Sequence, residues 1–153
     1  MMSKKMSSVV VLLGLLSASS VVHAESQVTC VKADTKTVEK LFDRWNDSLK
    51  SGDANNVSSN YLSDAVLLPT LSNQARLTDA ERKDYFIDFL KKGPVGKIDS
   101  RVIRTGCNKA IDTGTYTFTF KDGAKVSARY TFTYAWDGNK WLISSHHSSA
   151  MPE

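Results

Sequence analysis

Between residues 115 and 136 the chain keeps a strict period of two. Thr115-Tyr116-Thr117-Phe118-Thr119-Phe120 alternates without interruption, and Val126, Ala128, Tyr130, Phe132, Tyr134 and Trp136 resume the alternation after a short break. A period of two puts alternate side chains on opposite faces of a strand, and Thr, Tyr, Phe and Trp suit a pleated, half-buried surface. This segment is therefore a hairpin with one aromatic face, and that face has to be covered. Parity sets its register. Both aromatic sets share a face when Phe118 lies opposite Val126, which leaves the loop Lys121-Asp122-Gly123 with Gly123 left-handed in a bulge. In the next hairpin, pairing Trp136 with Trp141 leaves the loop Asp137-Gly138-Asn139-Lys140 and sets Tyr134 over Ile143 and Tyr130 over His147. A one-residue slip would pair Arg129 with His147 instead. The first register keeps Trp141 and Ile143 on the aromatic face.

The cover is supplied upstream. Over residues 34–51, Val38, Leu41, Phe42, Trp45 and Leu49 fall on one side of a 3.6-residue period. Asp34 or Thr35 caps the start and Ser51-Gly52-Asp53 ends the helix. A shorter helix over 54–62 buries Val57 and Tyr61, and 65–69 is a short strand stopped by Pro69. A polar loop, 71–77, leads to Thr78-Asp79-Ala80-Glu81, a capping box that opens a third helix over 79–92. That helix buries Tyr85, Phe86, Phe89 and Leu90 and stops at Lys91-Lys92-Gly93-Pro94. Strands follow over 97–104, 109–112 with 115–120, 125–136 and 141–148. The order α-α-β-α-β-β-β-β predicts an α+β fold, three helices packed on a curved antiparallel sheet. The opposite sheet face carries Thr115, Thr117, Thr119, Arg129, Thr131 and Thr133. It is flat and polar, suited to water or to a second copy of itself.

The N-terminus is set apart. Lys4 and Lys5 precede the apolar run 9–16, and Val22-His23-Ala24 is a cleavage tripeptide, the three-part layout of a secretory signal over residues 1–24. The run is shorter than the roughly 18 to 20 residues that span a bilayer. Residues 25–153 form one domain, expected to be periplasmic or secreted and free of the membrane after signal removal. The signal holds two lysines and no acidic residue, so half of the formal net charge of +4 belongs to it. The rest is too small for a nucleic-acid partner. At 41% hydrophobic and 24% charged, the chain is not disordered. Cys30 and Cys107 form no Cys-x-x-Cys and no zinc spacing. In an oxidising compartment they are expected to pair, closing a loop of about 78 residues worth roughly 4 to 5 kcal/mol.

This order resembles the cone-shaped superfamily of nuclear transport factor 2, ketosteroid isomerase and the SnoaL-like cyclases. Within it, the chain is most similar to the association domain of calcium/calmodulin-dependent protein kinase II, in its stand-alone bacterial form without a kinase domain. The carrying residues are Trp45-Asn46-Asp47-Ser48-Leu49-Lys50-Ser51-Gly52-Asp53, Tyr61-Leu62-Ser63-Asp64-Ala65 and Tyr85-Phe86-Ile87-Asp88-Phe89-Leu90. The closing Gly138-Asn139-Lys140-Trp141-Leu142-Ile143, followed by His146-His147-Ser148-Ser149, completes them. Where the kinase's domain ends in His-Arg-Ser, this chain has His147-Ser148-Ser149. The resemblance implies a cone fold, a homodimer or larger ring through the sheet face, and a pocket at the open end.

The expected pocket lining is Trp45, Tyr61, Asn73, Arg76, Tyr85, Tyr130 and His147, suited to a small, partly apolar organic ligand. His147, beside Tyr130, is the candidate acid/base of an alternative, isomerase-like activity, or else a structural hydrogen-bonded histidine. That activity also needs a carboxylate base. Asp112 and Asp99 are available, but neither has an apolar sequence context that would tune it. Neighbouring His146 and His147 point to opposite faces and cannot share a ligand, so no metal is expected, and no cofactor.

Overall fold

A computed structural model of the chain describes residues 29–70 and 72–152. The predicted signal over 1–24 lies outside the described residues. The elements follow the predicted order: α1 (Thr35–Leu49), α2 (Ala54–Ser58), β1 (Tyr61–Leu68), α3 (Asp79–Leu90), β2 (Val95–Gly106), β3 (Lys109–Thr119), β4 (Lys125–Trp136) and β5 (Trp141–Ala150). The five strands form one sheet in the order β1-β5-β4-β3-β2, with β1 parallel to β5 and every other pair antiparallel.

α1 buries the five predicted residues, Val38, Leu41, Phe42, Trp45 and Leu49, and the Asp34 carboxylate caps it by accepting from Thr37 N at 2.7 Å. Phe42 and Trp45 meet Phe132 edge-on, with ring centroids 6.0 and 5.3 Å apart, so the helix covers the aromatic face of the sheet. The capping box is present: Glu81 N donates to Thr78 Oγ1 at 3.2 Å and Thr78 N donates to Glu81 Oε2 at 2.9 Å. The first hairpin has the predicted register, Phe118 opposite Val126, with Gly123 at φ 84°.

The second helix is shorter than expected, and Tyr61 opens a strand instead of ending a helix. The cause is Asn60. Its side-chain amide donates to the carbonyls of Asn56 and Val57, at 3.1 and 3.2 Å, and closes the helix there. β3 runs unbroken through Gly114, which sits where β2 bulges between Ile98 and Ser100. A Cβ at Gly114 would run into the Ser100 carbonyl, so the close approach of the two strands requires glycine.

The second hairpin departs from expectation half-way along. Trp136 pairs with Trp141 and Tyr134 with Ile143, as predicted, but the register then shifts by one residue at Ser144. Beyond the bulge Phe132 faces His146, Thr131 faces His147 and Tyr130 faces Ser148. An extra residue in one strand inverts the parity of all that follows. His146 therefore points inward at 4% exposure, and His147 stands exposed on the outer face.

Cys30 and Cys107 are joined, with Cα atoms 5.0 Å apart. The neighbouring residues reinforce the tie: Val31 N donates to Asn108 Oδ1 at 2.7 Å and Asn108 N donates to Val31 O at 2.9 Å. The segment before α1 is thus clamped to the β2–β3 turn.

Candidate functional site: a cavity under the third helix

A cavity of about 460 Å³ opens between α3, the end of β1 and the inner face of β3–β5. α3 lies over it with only Arg82 and Phe86 buried, because Tyr85 and Phe89 turn toward the cavity and not into a closed core. Arg82 holds the helix in place. Its guanidinium donates to the carbonyls of Ala65, Leu62 and Ser63 at 2.7, 2.9 and 3.1 Å, satisfying the irregular first half of β1.

Four rings, Phe86, Phe89, Phe118 and Phe120, give the cavity an apolar wall. Thr70, Tyr116 and Ser148 add hydroxyls to the lining, with the Tyr116 ring beside Phe118 at 4.8 Å between centroids. Thr70 Oγ1 donates to Ser148 Oγ at 2.5 Å, and Tyr116 Oη donates to the same oxygen at 2.7 Å. Arg76 enters from the loop that precedes α3. Two backbone hydrogen bonds to Leu67, of 2.9 and 3.0 Å, pin it against β1. Its guanidinium lies 5.9 Å from the centre of the Tyr85 ring and 4.0 Å from the Asp84 carboxylate, and its buried Nε has no partner among the described residues. Burial raises the pKa of Tyr85, with the Arg76 charge opposing, and burial raises Tyr116 well above the ordinary phenol range. Both hydroxyls therefore keep their protons.

Behind the hydroxyls lies His146. Tyr61 Oη is 2.9 Å from its Nδ1 and receives the Trp45 indole N–H at 3.0 Å, while Tyr116 Oη is 3.5 Å from its Nε2. Phe132 stacks on the imidazole at 4.0 Å between centroids. Burial, and secondarily the charge of His147, pull the His146 pKa down to about 3, so the ring is neutral.

Of the expected lining residues, Trp45, Arg76 and Tyr85 line the cavity. Tyr61 and Tyr130 are buried in the core beside it, Asn73 is exposed, and His147 lies on the far side of the sheet. Thr70, Tyr116, His146 and Ser148 replace them. The inward parity of β3 already pointed to Tyr116; nothing in the sequence marked the bulge that brings His146 and Ser148 inside. The expectation for Asp112 is also corrected. It is fully buried, its pKa is raised by that burial, and it is bonded to Arg101 and Tyr130 outside the cavity lining. Asp99 is exposed and accepts from Thr117. Among the described residues no three His, Cys, Asp or Glu side chains are grouped as a metal would need.

Residues 34–152 match the calcium/calmodulin-dependent protein kinase II association domain. The chain belongs to that family. A solved association domain from Xanthomonas campestris is 45% identical, with a TM-score of 0.76, over 79% of this chain and 90% of that one. More distant folds agree. An NTF2-like protein from Pseudomonas putida KT2440 is 15% identical with a TM-score of 0.68, covering 77% of this chain and 87% of that one. A cyanobacterial iota-carbonic anhydrase, solved in complex with bicarbonate, is 18% identical with a TM-score of 0.70, covering 84% and 99%. No curated protein matches the sequence. The association domain described here thus has the NTF2-like fold.

Proposed function

We propose that this association domain is an exported homo-oligomer whose cavity binds a small oxyanion of the bicarbonate or carboxylate type. One observation carries the ligand class. Three protonated hydroxyls meet at Ser148, with Thr70 Oγ1 and Tyr116 Oη 2.5 and 2.7 Å from its Oγ, at a cavity wall that also holds the half-buried Arg76, whose buried Nε has no partner among the described residues. Thr70 and Tyr116 both donate to Ser148, which leaves the Ser148 proton and the Arg76 Nε–H as donors without a matching acceptor, and such donors recognise an anion. The lining also holds Asp84 and Asp88, both exposed on α3, against Arg76 and Lys92, so its formal charges balance and the anion preference rests on the unpaired donors. The bicarbonate bound by the cyanobacterial fold makes that ion the first probe.

The test is calorimetric titration with bicarbonate and acetate. Ser148→Ala and Arg76→Met are expected to weaken binding about tenfold each, one hydrogen bond's worth. Unchanged affinity in both variants would falsify the site.

A second reading, reversible hydration of carbon dioxide, is favoured by the phenylalanine rings that line the cavity together with the hydroxyls. Uncharged carbon dioxide suits those rings, and the product anion suits the hydroxyls and Arg76. A water oxygen would form the new bond to carbon, and its released proton would leave through the open mouth. Oxygen-isotope exchange between labelled bicarbonate and water reads this directly, and exchange at the uncatalysed rate sinks it.

Two features support the assembly and export parts. The outer sheet face is smoothed by paired hydroxyls, Thr113 with Thr131 and Thr117 with Ser127, both at 2.8 Å, and exposes Val102 (49%) and Ile111 (42%). Such a face suits a second copy. In sedimentation the chain is expected to run as a dimer or larger multiple, and Ile111→Asp to shift it toward the monomer. The Cys30–Cys107 disulfide suits an oxidising compartment, and among the described residues no helix is long and apolar enough to cross a membrane.

A further inference from the structure

The hydrogen bonds behind the cavity form a chain whose direction can be read from its first member. The Trp45 indole N–H has no acceptor function, so Tyr61 Oη must accept from it. Tyr61 is fully buried, and among the described residues its hydroxyl has one other partner, His146 Nδ1 at 2.9 Å. A buried O–H left without an acceptor is costly, so the Tyr61 proton points to Nδ1. Nδ1 is then the unprotonated nitrogen of a neutral ring, and the proton sits on Nε2, which faces Tyr116 Oη. Tyr116 in turn donates to Ser148 Oγ at 2.7 Å, and Thr70 donates to the same oxygen at 2.5 Å. Both lone pairs of Ser148 Oγ are occupied. Its own proton has one direction left, into the cavity.

We infer that Trp45 and Tyr61 act as positioning residues: through His146 and Tyr116 they fix Ser148 as a hydrogen-bond donor to the cavity, so that the site accepts ligands by their lone pairs. The inference rests on the oxyanion reading for the identity of the ligand, but the direction of the chain stands on its own geometry. It assigns the buried histidine a role other than acid/base work. His146 is a one-way coupler, with one nitrogen committed to accepting and the other to donating. It also explains why an indole stands behind the phenol: the Tyr61 hydroxyl could turn either way, and the donor-only Trp45 N–H fixes its direction. Each bond in such a chain polarises the next, which strengthens the last donor.

The experiment is long-range ¹H–¹⁵N NMR of the folded protein at neutral pH, read together with bicarbonate titration. The wild type is expected to show His146 as a single tautomer, protonated on Nε2 and bare on Nδ1. Tyr61→Phe keeps the ring and removes the donor. It is expected to release the preference, with the two tautomers within about tenfold of each other, and to weaken bicarbonate binding about tenfold. Trp45→Phe, which leaves Tyr61 free to turn its proton, is the second variant should Tyr61→Phe not fold. A wild-type ring protonated on Nδ1 overturns the inference whatever the ligand data. So do variants that fold and retain both the single tautomer and wild-type affinity. An Nε2-protonated ring that loses its preference in the variants, in a protein that binds no bicarbonate, supports the direction of the chain and overturns the oxyanion reading alone.

Discussion

Replacing Asp112 by alanine is expected to cost about 3 to 5 kcal/mol, the penalty of stranding one partner of a buried ion pair. Asp112 is fully buried on β3. Its Oδ1 accepts from Tyr130 Oη at 2.8 Å and from Arg101 Nε at 3.2 Å, and its Oδ2 lies 3.0 Å from Arg101 Nη2 without hydrogen-bond geometry. The Arg101 guanidinium stacks 5.6 Å from the centre of the Phe42 ring, and its other carboxylate neighbour, Glu39, is 3.9 Å away and half exposed. Glu39 can therefore compensate only weakly when Asp112 is removed. Urea unfolding at neutral pH measures the loss. The paired change Arg101→Met with Asp112→Leu removes both charges and is expected to recover most of it. A cost below about 1 kcal/mol for Asp112→Ala would show the pair to be no part of the core's stability. The site is structural: it lies outside the cavity lining, so bicarbonate affinity in the double variant is expected to be unchanged.

Much of this architecture was legible because the physical signal is repetitive. Five apolar residues on one side of α1 and four buried residues at alternate positions of β4 leave one way to bury them, and the helix-on-sheet arrangement follows. The capping box at Thr78 and the glycine at 123 are local signals, decided within four residues, and both hold. The misreadings come from single residues that interrupt a period. Asn60 ends a helix through its side chain, and a period-based reading does not see side-chain caps. Ser144 inserts one residue into β5, held by a 2.7 Å hydrogen bond to Thr133, and moves the inward position from His147 to His146. With it Ser148 comes inside and Tyr130 loses its expected neighbour. Arg76 and Tyr85 could be placed from sequence because loop and helix face fix them. Thr70 could not, since its role depends on where the displaced end of β5 comes to lie.

The buried histidine should make the protein sensitive to acid in a window of its own. His146 has a folded-state pKa near 3, against 6.5 when exposed. Between these values the unfolded chain binds a proton that the folded chain refuses, so stability is full above pH 6.5 and falls as the pH drops toward 3. The slope approaches about 1.4 kcal/mol per pH unit, and the loss from pH 7 to pH 5 is about 2 kcal/mol. The carboxylates held below their ordinary values, Asp34, Asp79, Glu81, Asp88 and Asp137, lose their contribution only as the pH falls below about 4, outside that interval. The measurement is urea unfolding at pH 7, 6 and 5 for the wild type, His146→Phe and His147→Gln. The wild type and the His147 variant are expected to lose stability in parallel, and the His146 variant to stay flat. Equal slopes in all three would mean that His146 takes up its proton without unfolding, and NMR titration of its ring in the folded wild type decides the same point should His146→Phe not fold. The hydrogen bonds explain why the ring should refuse the proton. Nδ1 faces a hydroxyl that already points at it, so protonation there would set two donors against each other in a buried site.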